Sequence, residues 1–220
     1  MKKRLRNKAD TVAKLKNTAC DLLISQGILN LSIQPILEKS GLSKGALFHH
    51  FPTKNHLIAA AYSDLLKEAS DELSLIGQAL QDGRICQKEF VQRVHDIFCS
   101  ELFLSSMEIS ISNRTEPELR KLADKAVTEW WATLSRFWMD TFTLPGRSSQ
   151  QAIQHWIMAS NLLRGHAFTS TFREDLGSRT AFCEAFEEMI LSSAVISTSN
   201  LDKKSSSCNV DHKRFRHPPK

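Results

Sequence analysis

The chain has 220 residues, 41% hydrophobic and 24% charged, which is the balance of a globular protein able to bury a core without disulfide staples. Six prolines, eight glycines and no polar low-complexity tract in the first 196 residues exclude a largely disordered chain, and no apolar run approaches the ~18 residues of a membrane span. The net charge of +5 conceals a split: residues 1–60 carry ten Lys/Arg and three Asp/Glu, residues 61–196 thirteen and nineteen, and residues 197–220 six and two.

A basic head on an acidic body points to a polyanion partner for the first 60 residues alone. The run Met1-Lys2-Lys3-Arg4-Leu5-Arg6 lacks a following apolar segment, so it reads as a basic arm for phosphate or minor groove rather than a secretory signal. Val12, Leu15, Ala19, Leu22 and Leu23 then form a helical stripe that Gly27 stops. Ser32 can cap a short second helix with Ile33, Ile36 and Leu37, its Pro35 falling in the first turn, where a missing N–H costs little. Ser40-Gly41-Leu42-Ser43 reads as a tight turn, with Ser43 as the next N-cap and a third short helix from Lys44 to about His50. Phe51-Pro52-Thr53 breaks it. Thr53 can cap a long fourth helix through Leu57, Ala61, Leu65, Ala69, Leu73 and Ile76, ending near Asp82-Gly83.

Further helices are expected at 87–104, 116–143, 148–173 and 178–196, with a shorter piece near 105–112 and no strand pattern. Pro117 suits an early helical position, Leu144-Pro145-Gly146 is a stop, and Ser148 is a fresh cap. The fold class is therefore all-α. Its expected divisions are a head over 9–69, a body over 70–196 and a disordered basic tail over 197–220.

Helix, four-residue turn and helix over 32–51 is the architecture of a unit that reads DNA. The turn requires a residue tolerant of positive φ, and Gly41 supplies it. Leu42, Leu47 and Phe51 can tie the second and third helices to the first. Gly45 and Ala46 would let backbone approach phosphate, while Ser43, Lys44, His49 and Lys54 put hydroxyl and cationic groups along a groove wall. His50 reads as a packed or capping residue and His56 as solvent-facing.

The stretch from Ser32 through Phe51, above all Gly41-Leu42-Ser43-Lys44-Gly45-Ala46-Leu47-Phe48-His49-His50-Phe51, followed by Pro52-Thr53-Lys54-Asn55-His56-Leu57, resembles the DNA-binding domain of TetR/AcrR-type transcriptional regulators. The resemblance covers about residues 9–69. It implies a three-helix reading head, a helical regulatory domain, a homodimer and a small effector that alters the spacing of two heads on a palindromic operator. It further implies that Ser32 and Gln34 meet backbone or groove edge, that Ser43, Lys44, Gly45, Phe48 and His49 sit on or in the groove, and that Lys54 holds a phosphate. Leu47 and Phe51 would be core. Position 48 is usually Tyr in the family, bonding a phosphate; Phe48 offers only apolar contact, for instance to a thymine methyl. Position 37 is usually Ala, and Leu37 is larger.

The body carries no motif of comparable strength. A wall of aromatics with a few polar groups suggests an effector pocket from His95, Phe98, Phe103, Glu108, Asn113, Trp130, Leu134, Phe137, Asn161 and Arg164. Trp130, Leu134, Phe137 and Trp138 share one helical face, so adjacent Trp131 cannot line the same surface. The resemblance places the dimer contact on the last two helices, about 148–173 and 178–196. Their Ile153, Trp156, Ile157, Leu163, Phe168, Phe182, Phe186, Met189 and Ile190 exceed what one inward stripe needs.

No catalytic residue, metal ligand set or cofactor motif stands out, so a cytoplasmic regulator and not an enzyme is expected. Two alternatives compete with a ligand-responsive repressor. A helical metal-binding or enzymatic protein would need His partners that Glu184, Glu187 and Glu188 lack. A redox-switched regulator would use Cys20, Cys86, Cys99 or Cys183. With Cys208 these form a widely spaced odd set that suggests no disulfide framework.

Overall fold

A computed structural model of the chain describes residues 2–172 and 178–197, with residues 2–7 described by backbone alone. Apart from Ser197, the tail expected over 197–220 lies outside them. Nine α-helices span α1 (Lys2–Asn30), α2 (Ile33–Ser40), α3 (Lys44–His50), α4 (Lys54–Gln81), α5 (Gln87–Phe98), α6 (Glu101–Ser112), α7 (Pro117–Thr141), α8 (Ser149–Ser170) and α9 (Arg179–Phe186) among the described residues. Two compact units result: Met1–Glu68 with Ser105–Glu129, and Ala69–Leu104 with Trp130 onward.

In the first unit most of the expected local signals act, and the Ser32 cap does not. Gly27 takes φ 72° and ends the regular part of α1, although the helical segment resumes to Asn30. Gly41 takes φ 64° and its N–H closes on the Leu37 carbonyl. The Ser43 hydroxyl accepts the Ala46 N–H, capping α3 at its expected start. Ser32 stands at the N-cap of α2 but its side chain makes no capping bond there. The core unites Leu15, Ala19, Leu22 and Leu23 of α1 with Ile36, Leu47, Leu57, Ala61 and Leu65, all at most 5% exposed. Each such Leu or Ile contributes ~1.5–3 kcal/mol of burial. Leu47 and Phe51 anchor α3, while Leu42 is only half-buried.

The second unit departs from expectation at three places. The helix expected over 87–104 breaks at Cys99-Ser100, not at 104. The Ser100 hydroxyl donates to the Ile97 carbonyl and accepts the Phe103 N–H, closing α5 and opening α6. The apolar stripe runs through this break without interruption, which hid it. The expected helix to 143 ends at Thr141, where β1 (Phe142–Thr143) pairs antiparallel with β2 (Val195–Ile196), Phe142 opposite Ile196. The helix expected over 178–196 ends at Phe186, followed by a wide π turn over Glu187–Leu191 and then β2. A two-residue strand has no alternation to read, so neither strand was visible in the pattern.

Aromatic packing builds this unit. Trp138 stacks on Trp156 with centroids 5.1 Å apart and planes 7° apart, and Phe90 packs on Phe137, Trp138 and Phe142. Such pairs add ~0.5–1.5 kcal/mol each beyond burial. The Trp138 indole N–H donates to the Ser160 hydroxyl, which donates to the Trp156 carbonyl.

Candidate nucleic-acid interface

The helix α3 has a buried side and an open side. Leu47 is fully buried, whereas Ser43, Lys44, Gly45, Phe48 and His49 are exposed. Phe48 is 37% exposed, with the Lys44 ammonium 5.9 Å from its ring centre. An apolar ring beside a cation, both held outward on a short capped helix, suits a groove that offers thymine methyls and phosphates.

Gly45 is informative. Its φ lies outside the left-handed region, and a Cβ there would meet only the Ser43 hydroxyl at 3.9 Å. Nothing within the chain requires glycine at this helical position, although glycine disfavours a helix by ~1 kcal/mol relative to alanine.

Neighbouring positions frame this surface. Ser32 and Gln34 are exposed on α2, and the Gln34 amide donates to Glu38 at 2.7 Å. Exposed Lys54 opens α4 and donates to the Leu31 carbonyl at 3.2 Å. His49 and His50 meet edge to face, 5.0 Å apart. Partial burial, then the nearby His49 and Lys8, hold the half-buried His50 imidazole below its ordinary pKa. His56, expected to face solvent, is half-buried instead. Its ring lies 2.9 Å from the Thr53 hydroxyl and 3.9 Å from Glu118.

The ten residues expected to line an effector pocket fall in both units. His95, Phe98, Phe103, Trp130, Leu134 and Phe137 are buried in the second unit. Phe103 bridges Phe98 at 4.6 Å and Trp130 at 5.7 Å. Asn161 is exposed on α8, and the Arg164 guanidinium covers the half-buried Trp131 ring at 4.2 Å. Glu108 and Asn113 belong to the first unit. There Glu108 lies against Gly27 and accepts the Ile28 N–H at 3.4 Å, a contact 80 residues apart in sequence. The Asn113 carbonyl oxygen is buried without a partner, and so is the indole N–H of Trp156. Trp156, expected on the dimer surface, is 1% exposed, and no sequence pattern marks its N–H as unpartnered.

Of the nine apolar residues expected on that surface, Trp156, Leu163, Phe186 and Ile190 are core, and Ile157 and Phe182 are half-buried. Ile153, Phe168 and Met189 are exposed by 39%, 48% and 68%. Met158 and Leu162, not singled out beforehand, are exposed too. With Gly165, Phe168 and Phe172 they form one outward stripe at steps of three and four. A groove here is lined by Met158, Leu162, Met189 and Ile190 together with Arg147, Gln154 and Asn161.

Burial, with nearby carboxylates, pushes the Cys20 and Cys99 thiols up to about 12, and burial raises Cys183 as well. Among the described residues, no three His, Cys, Asp or Glu side chains are grouped to hold a metal ion. Among them too, no helix is long and apolar enough to cross a membrane.

A capped short helix turned outward from a three-helix core, with cations on its open side, defines a helix-turn-helix DNA-binding protein. A family model described as bacterial regulatory proteins, tetR family, matches residues 16–61. The HTH-type transcriptional regulator CymR of Pseudomonas putida is 23% identical over 166 residues, 76% of this chain and 82% of CymR. A transcriptional regulator from Rhodococcus sp. Rha1 superposes with a TM-score of 0.61 at 18% identity, covering 83% of this chain and 97% of that one. A Saccharomonospora viridis protein solved in complex with choline gives 0.61 at 17% identity, covering 86% and 99%. At these identities the superpositions carry the fold. Residues 16–61 thus form a DNA-binding domain of the tetR type, and the chain is a DNA-binding transcriptional regulator similar to CymR over most of its length.

Proposed function

We propose that this regulator is a cytoplasmic, homodimeric repressor that binds a palindromic operator through two copies of α3 and releases it when a small molecule occupies the body, with no catalytic step. The open face of α3 carries the reading: Ser43, Lys44, Gly45, Phe48 and His49 meet the major groove, with Ser32, Gln34 and Lys54 on its walls. Gly45 supports it most directly, because a glycine with free space around it on the exposed side of α3 would let a phosphate backbone approach closely.

The second copy is supported by the outward stripe of Met158, Leu162, Gly165, Phe168 and Phe172, flanked by Ile153 and Met189. Pairing α8 with its symmetry mate and with the α9 region would cover this apolar surface, and a stable dimer hides ~800 Å² per partner. The effector reading is supported by the buried aromatic body of His95, Phe98, Phe103, Trp130, Leu134 and Phe137, and separately by the unpartnered Trp156 N–H, a donor suited to a ligand oxygen. The choline held by the Saccharomonospora viridis protein makes a compact organic cation a natural first compound to try against these rings.

Selecting duplexes from a random pool with the full chain, and footprinting the winners, tests the whole reading. The expected outcome is a two-fold symmetric site with half-sites about 34–36 Å apart. Weak, sequence-indifferent binding at physiological salt would overturn it.

A further inference from the structure

We infer that Glu118, at the start of α7, is a positioning residue for DNA recognition: it holds the first turn of α4 in the geometry that presents Lys54 to the duplex. The inference rests on the DNA-reading assignment of α3 and Lys54 made above.

One carboxylate gathers three side chains of a single turn. Oε2 of Glu118 accepts the Asn55 amide at 2.8 Å, and Oε1 accepts the Thr53 hydroxyl at 3.2 Å. Thr53 is itself the cap of α4, taking the His56 N–H at 3.4 Å, and it bonds the His56 ring at 2.9 Å. The His56 ring lies 3.9 Å from Oε1. Lys54 sits between the two clamped residues and donates to the Leu31 carbonyl at the entry to α2. The contacts join residues 63 and 65 positions apart, yet all belong to one compact unit. Glu118 therefore fixes the α3–α4 corner from outside the helix-turn-helix. The turn it holds carries the cation expected on phosphate.

Electrostatics alone predicts the opposite sign. An anion near a polyanion weakens association, so deleting it should strengthen DNA binding. A positioning role predicts that deletion weakens binding, because the freed turn must be ordered again on the duplex. A third account is that Glu118 merely offsets the positive end of α7. In that case its partner Asn55 would have no bearing on DNA.

The experiment uses the full chain and a duplex that the wild-type chain selects from a random pool. Glu118→Ala should weaken binding roughly fivefold, equivalent to ~1 kcal/mol and to one exposed charge-assisted hydrogen bond. Glu118→Gln retains an acceptor oxygen and should stay within about twofold of wild type. Asn55→Ala should reproduce much of the Glu118→Ala loss. In a Lys54→Ala background, Glu118→Ala should lose most of its effect, since coupled residues are non-additive whereas a general loss of fold is additive. Thermal melts record the folded fraction of each variant, and Asn55→Ala leaves α7 untouched should Glu118→Ala fold poorly. Unchanged or tighter binding by Glu118→Ala, or full additivity with Lys54→Ala, overturns the inference while leaving DNA reading intact. If the wild-type chain selects no duplex, the DNA-reading assignment itself fails.

Discussion

The reading head and the body declare themselves differently. In the head the residues at and before a seven-residue helix sort into those with a nearby structural reason and those left exposed. Ser43 caps, Gly41 turns, Leu47 anchors, and what remains faces outward. In the body the informative residues are apolar and lie on long helices, where the same stripe can serve a core, a ligand or a second chain. A helical pattern states that a face is apolar but not what covers it. The difference teaches that external function is easiest to recognise where a residue contradicts its own local interest. Gly45 in α3 and Gly165 in α8 are such residues: each weakens its helix, and neither has crowding within the chain to explain it.

The sharpest way to break this comparison is at Gly165. A Cβ there meets nothing within 4 Å, so Gly165→Leu should fold and, by helix propensity, stabilise α8. If the Gly165 stripe meets its symmetry mate, the same change should yield monomers at micromolar concentration in sedimentation velocity. Losing the second head should weaken operator binding by ~100-fold or more, because the tethered second contact is lost. A dimer that persists with undiminished affinity would put the partner surface elsewhere.

Gly45→Ala asks the same question of the head, with a smaller effect. Folding stability should rise by up to ~1 kcal/mol, a gain of ~2–4 °C in melting temperature for a chain of this size. Binding to the selected duplex should fall about tenfold, as a methyl separates backbone from phosphate, a loss of ~1.4 kcal/mol. Stability and function moving in opposite directions is the signature; a rise in both would make Gly45 an accident of sequence.

The sequence was legible where a structure is decided within about four residues. The caps at Ser43 and Ser148, and the glycine stops at Gly27, Gly41 and Gly83, are local events, and the helices begin or end near them. The open face of α3 was legible for the same reason. What escaped depends on distant partners. Glu108 closing the end of α1 and Glu118 clamping Thr53 and Asn55 pair residues more than sixty positions apart. Nothing near either glutamate marks it. The stop at Ser100 had a signal, a hydroxyl three residues before Phe103, but the uninterrupted stripe outweighed it. Met158 and Leu162 were missed because apolar residues on an amphipathic helix read as inward by default, whereas Trp156 beside them took the inward place.

Acid should separate the two regions by the smallest effect. In the body His166 stacks on Phe182 at 3.9 Å with planes 14° apart, and its ring lies 5.1 Å from that of His95. Burial first, and then His95, hold the His166 imidazole below its ordinary 6.5. The unfolded chain therefore binds this proton more readily than the folded one. The stability His166 contributes is present above pH 6.5 and is lost as pH falls below that value toward its lower folded pKa. Asp96 acts in a different window. Burial pushes its carboxyl up, but hydrogen bonds from His95 and Arg179, with their charges, outweigh this and hold it below 3.8. Its contribution persists until strongly acid solution. Between about pH 7.5 and about pH 5.5 the melting temperature of the wild-type chain should thus decline through its depressed histidines. Replacing His166 by Phe keeps the stack on Phe182 and removes the proton, so the His166→Phe chain should decline less. His50 in the head, depressed by its own surroundings, should keep the remainder. Equal slopes in wild type and His166→Phe would show that the junction of α5, α8 and α9 is indifferent to this proton.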